Sequence, residues 1–371
     1  MHKIIVKRRY KDIFTRKINI CLVVLFILTF LTLLIMFLSS KSHPNSDAKK
    51  PLYLSLENKV LSSAENKTDD LNSDTPNYNF THTKYTQLPT ITDVRVLNYK
   101  TNVVTTMNLD EYVALVILAE MPVSFNSEAL KAQAIASRTL TVNLILSGSH
   151  KDADICTDYH HCQSFISYDD VVKLYGDAGK EAYKKAKNAS LATSGIVMLY
   201  DGAPIKALFH AASPSATVSS EAVWGGKVDY LVSVPSVETA ANTKDYISDY
   251  HFTKDEFLML LTKAGYKSVT KYASKPLSEF VSQPVRNGAA TVDYIMIGAE
   301  KITGNKFRSA LSLRSADFTI GVDGNTVNIT TQGYGHGVGM SQNGANILAK
   351  KGYNFYDILK YYYTGIYFGF V

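Results

Sequence analysis

The sequence predicts an α+β protein: a basic tail (1–17), a single-pass membrane helix (18–38), a flexible stalk (39–89) and one large mixed α/β domain (90–371) of one body or two interlocked lobes. Three observations carry this. Residues 18–38 are an uncharged run interrupted only by Asn19, Thr29 and Thr32 among strongly polar side chains. Residues 39–89 are rich in Ser, Asn, Asp, Lys and Thr, punctuated by Pro44, Pro51, Pro76 and Pro89, and show no sustained period. Beyond residue 90, strand-like and helix-like patterns alternate to the C-terminus, with enough chain for a real core.

At about 1.5 Å per residue the run Ile18 to Leu38 spans roughly 30 Å, the thickness of a bilayer core. A cleaved signal peptide would carry a shorter apolar region followed by small residues. Here Ser39 to Pro44 follow a long one, so the run reads as a retained signal anchor. Before it stand Lys3, Lys7, Arg8, Arg9, Lys11, Arg16 and Lys17 against Asp12 alone. That tail accounts for the whole net charge of +6. The excess of basic residues predicts a cytoplasmic N-terminus and a domain outside the cell membrane. With the rest of the chain neutral, no basic face remains for nucleic acid. The stalk would reach on the order of 40 Å as a random chain, enough to let the domain sweep the layer beside its membrane.

The domain opens with two strand-like runs, Asp93 to Leu97 and Val103 to Met107, around a turn at Asn98 to Asn102. Asn108 then reads as a helix N-cap, with Asp110 and Glu111 complementing the macrodipole in the first turn. The body Val113 to Ala119 is apolar on every side and so predicted to be buried. Pro122 disfavours helical geometry at Met121, which stops the helix near Glu120. Partial burial and the negative end of the dipole both act against the charged form of Glu120, so its pKa is expected to rise. A carboxylic acid still protonated near neutral pH is suited to protonating a glycosidic oxygen.

A second helix follows, capped by Asn126 or Ser127 and running to Gly148. Gln133 and Ser137 share a face, and Arg138 is adjacent. Next, Cys156 and Cys162 flank a loop holding His160 and His161, with His150 just upstream. A Cys156–Cys162 disulfide is one reading for a chain outside the membrane. A Cys2His2 zinc site is the other, with His150, Cys156, Cys162 and one of the two loop histidines, His161 preferred over His160. Two histidines beside two cysteines favour zinc (Zn2+) in a closed, structural site, while an open three-ligand site would activate water instead.

Further on, Phe209-His210-Ala-Ala-Ser-Pro-Ser-Ala-Thr217 precedes the chain's single tryptophan, Trp224. It reads either as a sugar-stacking surface or as a core residue. A strand-like run, Thr326 to Thr331, leads into a loop with glycines at 333, 335, 337 and 339 around His336. Glycines that dense serve unusual backbone angles or close approach. Ser341 is a good N-cap for a helix that closes at Lys350, Lys351 and Gly352, and a last capped helix lies within Tyr353 to Gly365.

Four segments together resemble the stage II sporulation protein D and amidase-enhancer family. They are Gly-His-Gly-Val-Gly-Met-Ser-Gln-Asn-Gly-Ala at 335–345, Ala119-Glu-Met-Pro122, Lys131-Ala-Gln-Ala-Ile-Ala-Ser-Arg-Thr139 and the block from Phe209 to Tyr230. In the last of these, Pro214 and Ser215 stand where the family's pattern carries glycines. The resemblance implies a peptidoglycan lytic transglycosylase that leaves 1,6-anhydro-N-acetylmuramic acid ends, with Glu120 as its essential acid. It implies that Gln133, Ser137, Arg138, His210, His336, Ser341 and Gln342 line or support the glycan site, and that some members carry zinc near the cysteines. It further implies action during engulfment in an endospore-forming bacterium, on glycan stripped of its peptides by a partner cell-wall amidase, beside other membrane proteins of that machinery. Two other readings stay open: a non-catalytic wall-binding module that recruits or stimulates the amidase, and a metal-dependent hydrolase.

Overall fold

Asp93–Asn98 (β1) and Val103–Asn108 (β2) pair antiparallel, with Val94 and Val96 turned into the core. The computed structural model describes residues 88–286 and 290–371. The basic tail, the predicted span and nearly all of the stalk therefore lie outside the described residues. Among those described, no helix is long and apolar enough to cross a membrane.

Helix α1 (Leu109–Glu120) starts where its cap predicts: the Asn108 side chain accepts hydrogen bonds from the amides of Asp110 and Glu111. It stops at Glu120, with Met121 in extended geometry ahead of Pro122. Val113, Val116 and Ile117 are fully buried, and each such side chain stabilises the fold by about 1.5–3 kcal/mol. Helix α2 (Ser127–Ser147) is capped by Asn126 and closed by a left-handed Gly148. Short strand β3 (Ile155–Cys156) lies parallel to β1, setting Cys156 beside Leu97. Helix α3 (Tyr168–Leu191), kinked at Gly176, packs along α1 and α2.

Strands β4 (Ile196–Tyr200) and β5 (Ala203–Pro204) follow, then β6 (Phe209–His210) and a one-turn helix α4 (Ser220–Trp224). Next the chain leaves this core to build a second one. Strand β7 (Ile247–Thr253), helix α5 (Lys254–Lys263), strands β8 (Val285–Arg286), β9 (Val292–Ile297) and β10 (Glu300–Thr303), helix α6 (Gly304–Ala310), and strands β11 (Phe318–Asp323) and β12 (Thr326–Gln332) enclose Phe257, Leu261, Ile295, Phe307, Phe318 and Val327. This is a lobe inserted into the first. Its entering and leaving strands pair antiparallel, and the Gly333 amide closes the neck on the Tyr246 carbonyl at 2.8 Å. Strand β13 (Met340–Ser341) then returns to the first lobe parallel to β6, followed by helices α7 (Gln342–Lys350) and α8 (Phe355–Tyr362) and strand β14 (Tyr367–Phe370), antiparallel to β4. The two larger hydrophobic cores, one in each lobe, are built from separate sets of residues.

Candidate functional site

Glu120 ends α1 partly exposed, and the Ser164 amide donates to its Oε1 at 2.6 Å. Ser164 lies two residues beyond Cys162, so the cysteine loop and the carboxylate form one local structure. Within that loop His150, Cys156, His161 and Cys162 bring one ligand atom each to within 4.8 Å of one another. The spacings are 3.6 Å between the sulfurs, 3.2 Å from His150 Nε2 to Cys162 Sγ, 3.3 Å from His161 Nδ1 to Cys162 Sγ and 3.7 Å from His161 Nδ1 to Cys156 Sγ. A tetrahedral zinc ion with ordinary bond lengths sets its ligand atoms about 3.8 Å apart for two sulfurs and about 3.6 Å for sulfur and nitrogen. The donor set therefore fits such an ion, and both cysteines are free thiols. Burial, then the neighbouring Cys156, push the Cys162 thiol up to about 12, so a thiolate here calls for a cation. Burial holds His150 below its ordinary value, which suits a neutral ligand. His160 stands outside the cluster, with its amide on Asp158 Oδ1 and its ring against Tyr159.

From Glu120 a buried polar seam crosses the first lobe. Gln163, next to Ser164, donates through Nε2 to Thr141 Oγ1 at 2.9 Å, the Tyr112 hydroxyl at 3.2 Å and the Ser137 carbonyl at 3.4 Å. Gln133 Nε2 donates to Ser137 Oγ at 3.0 Å and its Oε1 accepts from Gln342 Nε2 at 3.3 Å. Beside Gln342, the Ser341 hydroxyl donates to Glu238, which also accepts from the Ser213 amide at 2.9 Å and the Ser236 hydroxyl at 2.6 Å. Ser213 in turn donates to His210 Nε2 at 2.7 Å. With the Val237 amide at 3.1 Å, Glu238 accepts four hydrogen bonds, which explains how a buried carboxylate is tolerated.

Gln133, Ser137, His210, Ser341 and Gln342 are buried: Gln133 bonds Ser137 and Gln342, His210 bonds Ser213, and Ser341 bonds Glu238. Arg138 is fully buried as well, bound to Asp110 at 2.6 Å and to the carbonyls of Thr193 and Ser190 at 2.7 and 2.9 Å. Asp110 lies ten residues from Glu120, about 15 Å along α1, so Arg138 ties the helices together at the far end from the acid.

Gly333, Gly335, Gly337 and Gly339 all take positive φ. A Cβ on Gly339 would lie 2.0 Å from the Leu208 carbonyl oxygen, and one on Gly335 would lie 2.7 Å from His210 Cβ. The loop can seat on β6 only without side chains. It carries His336, partly accessible, with its ring 5.7 Å from His210 and 6.0 Å from Trp224. Trp224 is 56% exposed, which removes the core reading and leaves a free aromatic face. Val338 N donates to His336 Nδ1 at 3.1 Å, so the neutral ring carries its proton on Nε2. Burial, then the charges of His210 and Arg308, push His336 down to about 3.

Burial likewise pushes His210 down to about 4. Its folded value lies below the ordinary 6.5, so its contribution to stability is whole above pH 6.5 and is lost as pH falls towards 4. By pH 5 the loss from His210 should be about 2 kcal/mol. Urea midpoints measured between pH 7 and pH 5 should fall in the wild type and vary less in His210→Gln. Equal slopes in the two proteins would contradict this origin.

Glu238, Gln163, Ser164 and Arg308 have no local sequence signature of function. Only the position of Gln163 and Ser164, directly after Cys162, offered a signal.

A family model described as stage II sporulation protein matches residues 98–200. Stage II sporulation protein D of Bacillus amyloliquefaciens is 37% identical over 263 residues, covering 70% of this chain and 73% of that protein. The protein of the same description in Bacillus subtilis (strain 168) is 37% identical over 262 residues, 69% of this chain and 73% of that one. The amidase enhancer of Bacillus subtilis is 26% identical over 300 residues, 67% of this chain and 39% of its own length.

Proposed function

This chain belongs to the stage II sporulation protein D family, and from that premise we propose that it is a lytic transglycosylase of peptidoglycan. Glu120 protonates the oxygen of the β-1,4 bond that follows N-acetylmuramic acid. Its carboxylate then takes the proton of the muramyl C6 hydroxyl, whose oxygen closes on C1 as the leaving sugar departs. One carboxylate serves both steps and no water attacks, so no second acid is required. The observation that carries this reading is the placement of Glu120: the end of a buried helix, partly exposed, with one carboxylate oxygen fixed by the Ser164 amide at 2.6 Å. His336 and Trp224 supply the accessible polar and aromatic surface on which sugar would rest.

We assign zinc to His150, Cys156, His161 and Cys162 in a structural role. Four protein ligands leave no open position for water, which argues against a metal-dependent hydrolase. The domain would be tethered outside the cell membrane by residues 18–38 and act on peptide-stripped glycan beside a cell-wall amidase during engulfment.

The likeness to an amidase enhancer favours one second reading, a non-catalytic wall module that recruits or stimulates an amidase. Incubating the purified chain with intact and amidase-treated peptidoglycan, and reading the products by mass spectrometry, separates the two. Anhydro-muramyl ends, more abundant from the amidase-treated wall, are expected. Glycan binding without any such ends would establish the module reading instead.

A further inference from the structure

Outside the seam and the metal loop, one arginine of the described residues has no carboxylate partner. Arg308, on α6 of the inserted lobe, is half-buried, and among the described residues no carboxylate lies within salt-bridge distance of its guanidinium. The other four arginines of the described residues have one: Arg95 pairs with Asp154, Arg138 with Asp110, Arg286 with Asp317 and Arg314 with Asp245. A half-buried charge with no carboxylate partner calls for a reason in its position.

The position supplies one. Arg308 Nε donates to the Arg314 carbonyl at 3.1 Å, and the same carbonyl accepts the Gly335 amide at 2.9 Å. The guanidinium is thus held one shared acceptor away from the residue preceding His336. Alongside, Arg314 packs its own guanidinium over the Tyr334 ring at 5.1 Å. Its fork is occupied by Ser248 Oγ and the Asp245 carbonyl at 3.2 Å each, whereas Arg308 has only Nε engaged. Trp224 stands beside His336, 6.0 Å between ring centroids, and is exposed. An aromatic face and an unspent guanidinium flanking one loop are what a sugar bearing an anionic substituent requires, since Arg presents a fork matched to carboxylate.

We propose that Arg308 binds a carboxylate of the glycan, namely the lactyl carboxylate that N-acetylmuramic acid bears once its stem peptide has been hydrolysed off. The inference rests on the glycan-cleaving reading above and deepens it. In uncleaved wall that carbonyl is an amide and carries no charge, so the inserted lobe would select the product of an amidase. The sensing element belongs to a lobe whose core is separate from that of Glu120, and it reaches the first lobe through Gly335.

The test compares the full chain as wild type, Arg308→Gln and Arg308→Lys by calorimetric titration against three glycans of equal length. These are peptide-free GlcNAc–MurNAc strands, the same strands with their carboxylates converted to methylamides, and a neutral chitooligosaccharide. Wild type should bind the carboxylate strands roughly 10- to 100-fold more tightly than the methylamide strands. Arg308→Gln should lose that preference while keeping its affinity for the two neutral glycans, and Arg308→Lys should keep part of it. The preference should also shrink as salt is raised. A wild type that does not discriminate, or an Arg308→Gln variant that keeps the full preference, overturns the assignment. Failure to bind any of the three glycans would instead take down the parent reading.

Discussion

Glu120→Gln should lower the release of anhydro-muramyl ends by at least about 1,000-fold while leaving glycan binding within a few-fold of wild type. Glutamine keeps the shape of the side chain and an oxygen that can accept the Ser164 amide, so the end of α1 and the loop beyond Cys162 should hold their places. What it cannot do is give up a proton to the leaving oxygen or take one from the C6 hydroxyl. Both halves of the proposed reaction use the same carboxylate, so one substitution removes both. Full turnover in this variant would transfer catalysis elsewhere. Undiminished stimulation of an amidase by a variant that produces no ends would show that recruitment is a separate activity of the same surface.

Local chemistry in the sequence went far towards this site. Asn108, Asn126 and Ser341 are caps that bond the amides their positions demand, and Pro122 sets Glu120 at a helix end. The four glycines around His336 announce a loop that only glycine can build. What could not be read is what lies opposite a polar face. Gln133 and Ser137 share one side of α2, as their spacing requires, but that side meets Gln163 and Gln342 from segments 26 to 209 residues away. Arg138 likewise finds its partner in Asp110, back at the start of α1, which its own segment does not announce. His161 was separable from His160 only through the turn at Asp158, whose carbonyl accepts the amides of both His161 and Cys162. The boundary of the second lobe was equally hidden, because strands β7 and β12 that form its neck are nearly 80 residues apart in sequence and meet only in the fold.

Removing the metal should disarm Glu120 without touching it. If zinc is held as assigned, the purified chain carries one zinc per molecule, and Cys162→Ser should lose it. Cobalt in its place should give the absorption of a tetrahedral thiolate site. The first lobe has its own core, so metal loss should not unfold it outright. It should free the segment from His150 to Cys162, a cost on the order of 3 kcal/mol and roughly 5–10 °C in Tm if the ion acts as a cross-link of that length. The consequence for activity follows from the chain's course. Gln163 and Ser164 leave the loop directly; Gln163 anchors to Thr141 and Tyr112, and Ser164 holds the carboxylate. Once the loop drifts, the amide that fixes Glu120 Oε1 drifts with it, and turnover should fall about 10- to 100-fold with little change in glycan affinity. A structural ion predicts that the fall in activity tracks the fall in Tm across metal occupancies, and that Glu120→Gln is inactive even when fully loaded. Turnover that vanishes on chelation of a protein whose Tm is unchanged, but survives Glu120→Gln, would make the ion the catalyst and remove Glu120 from that role.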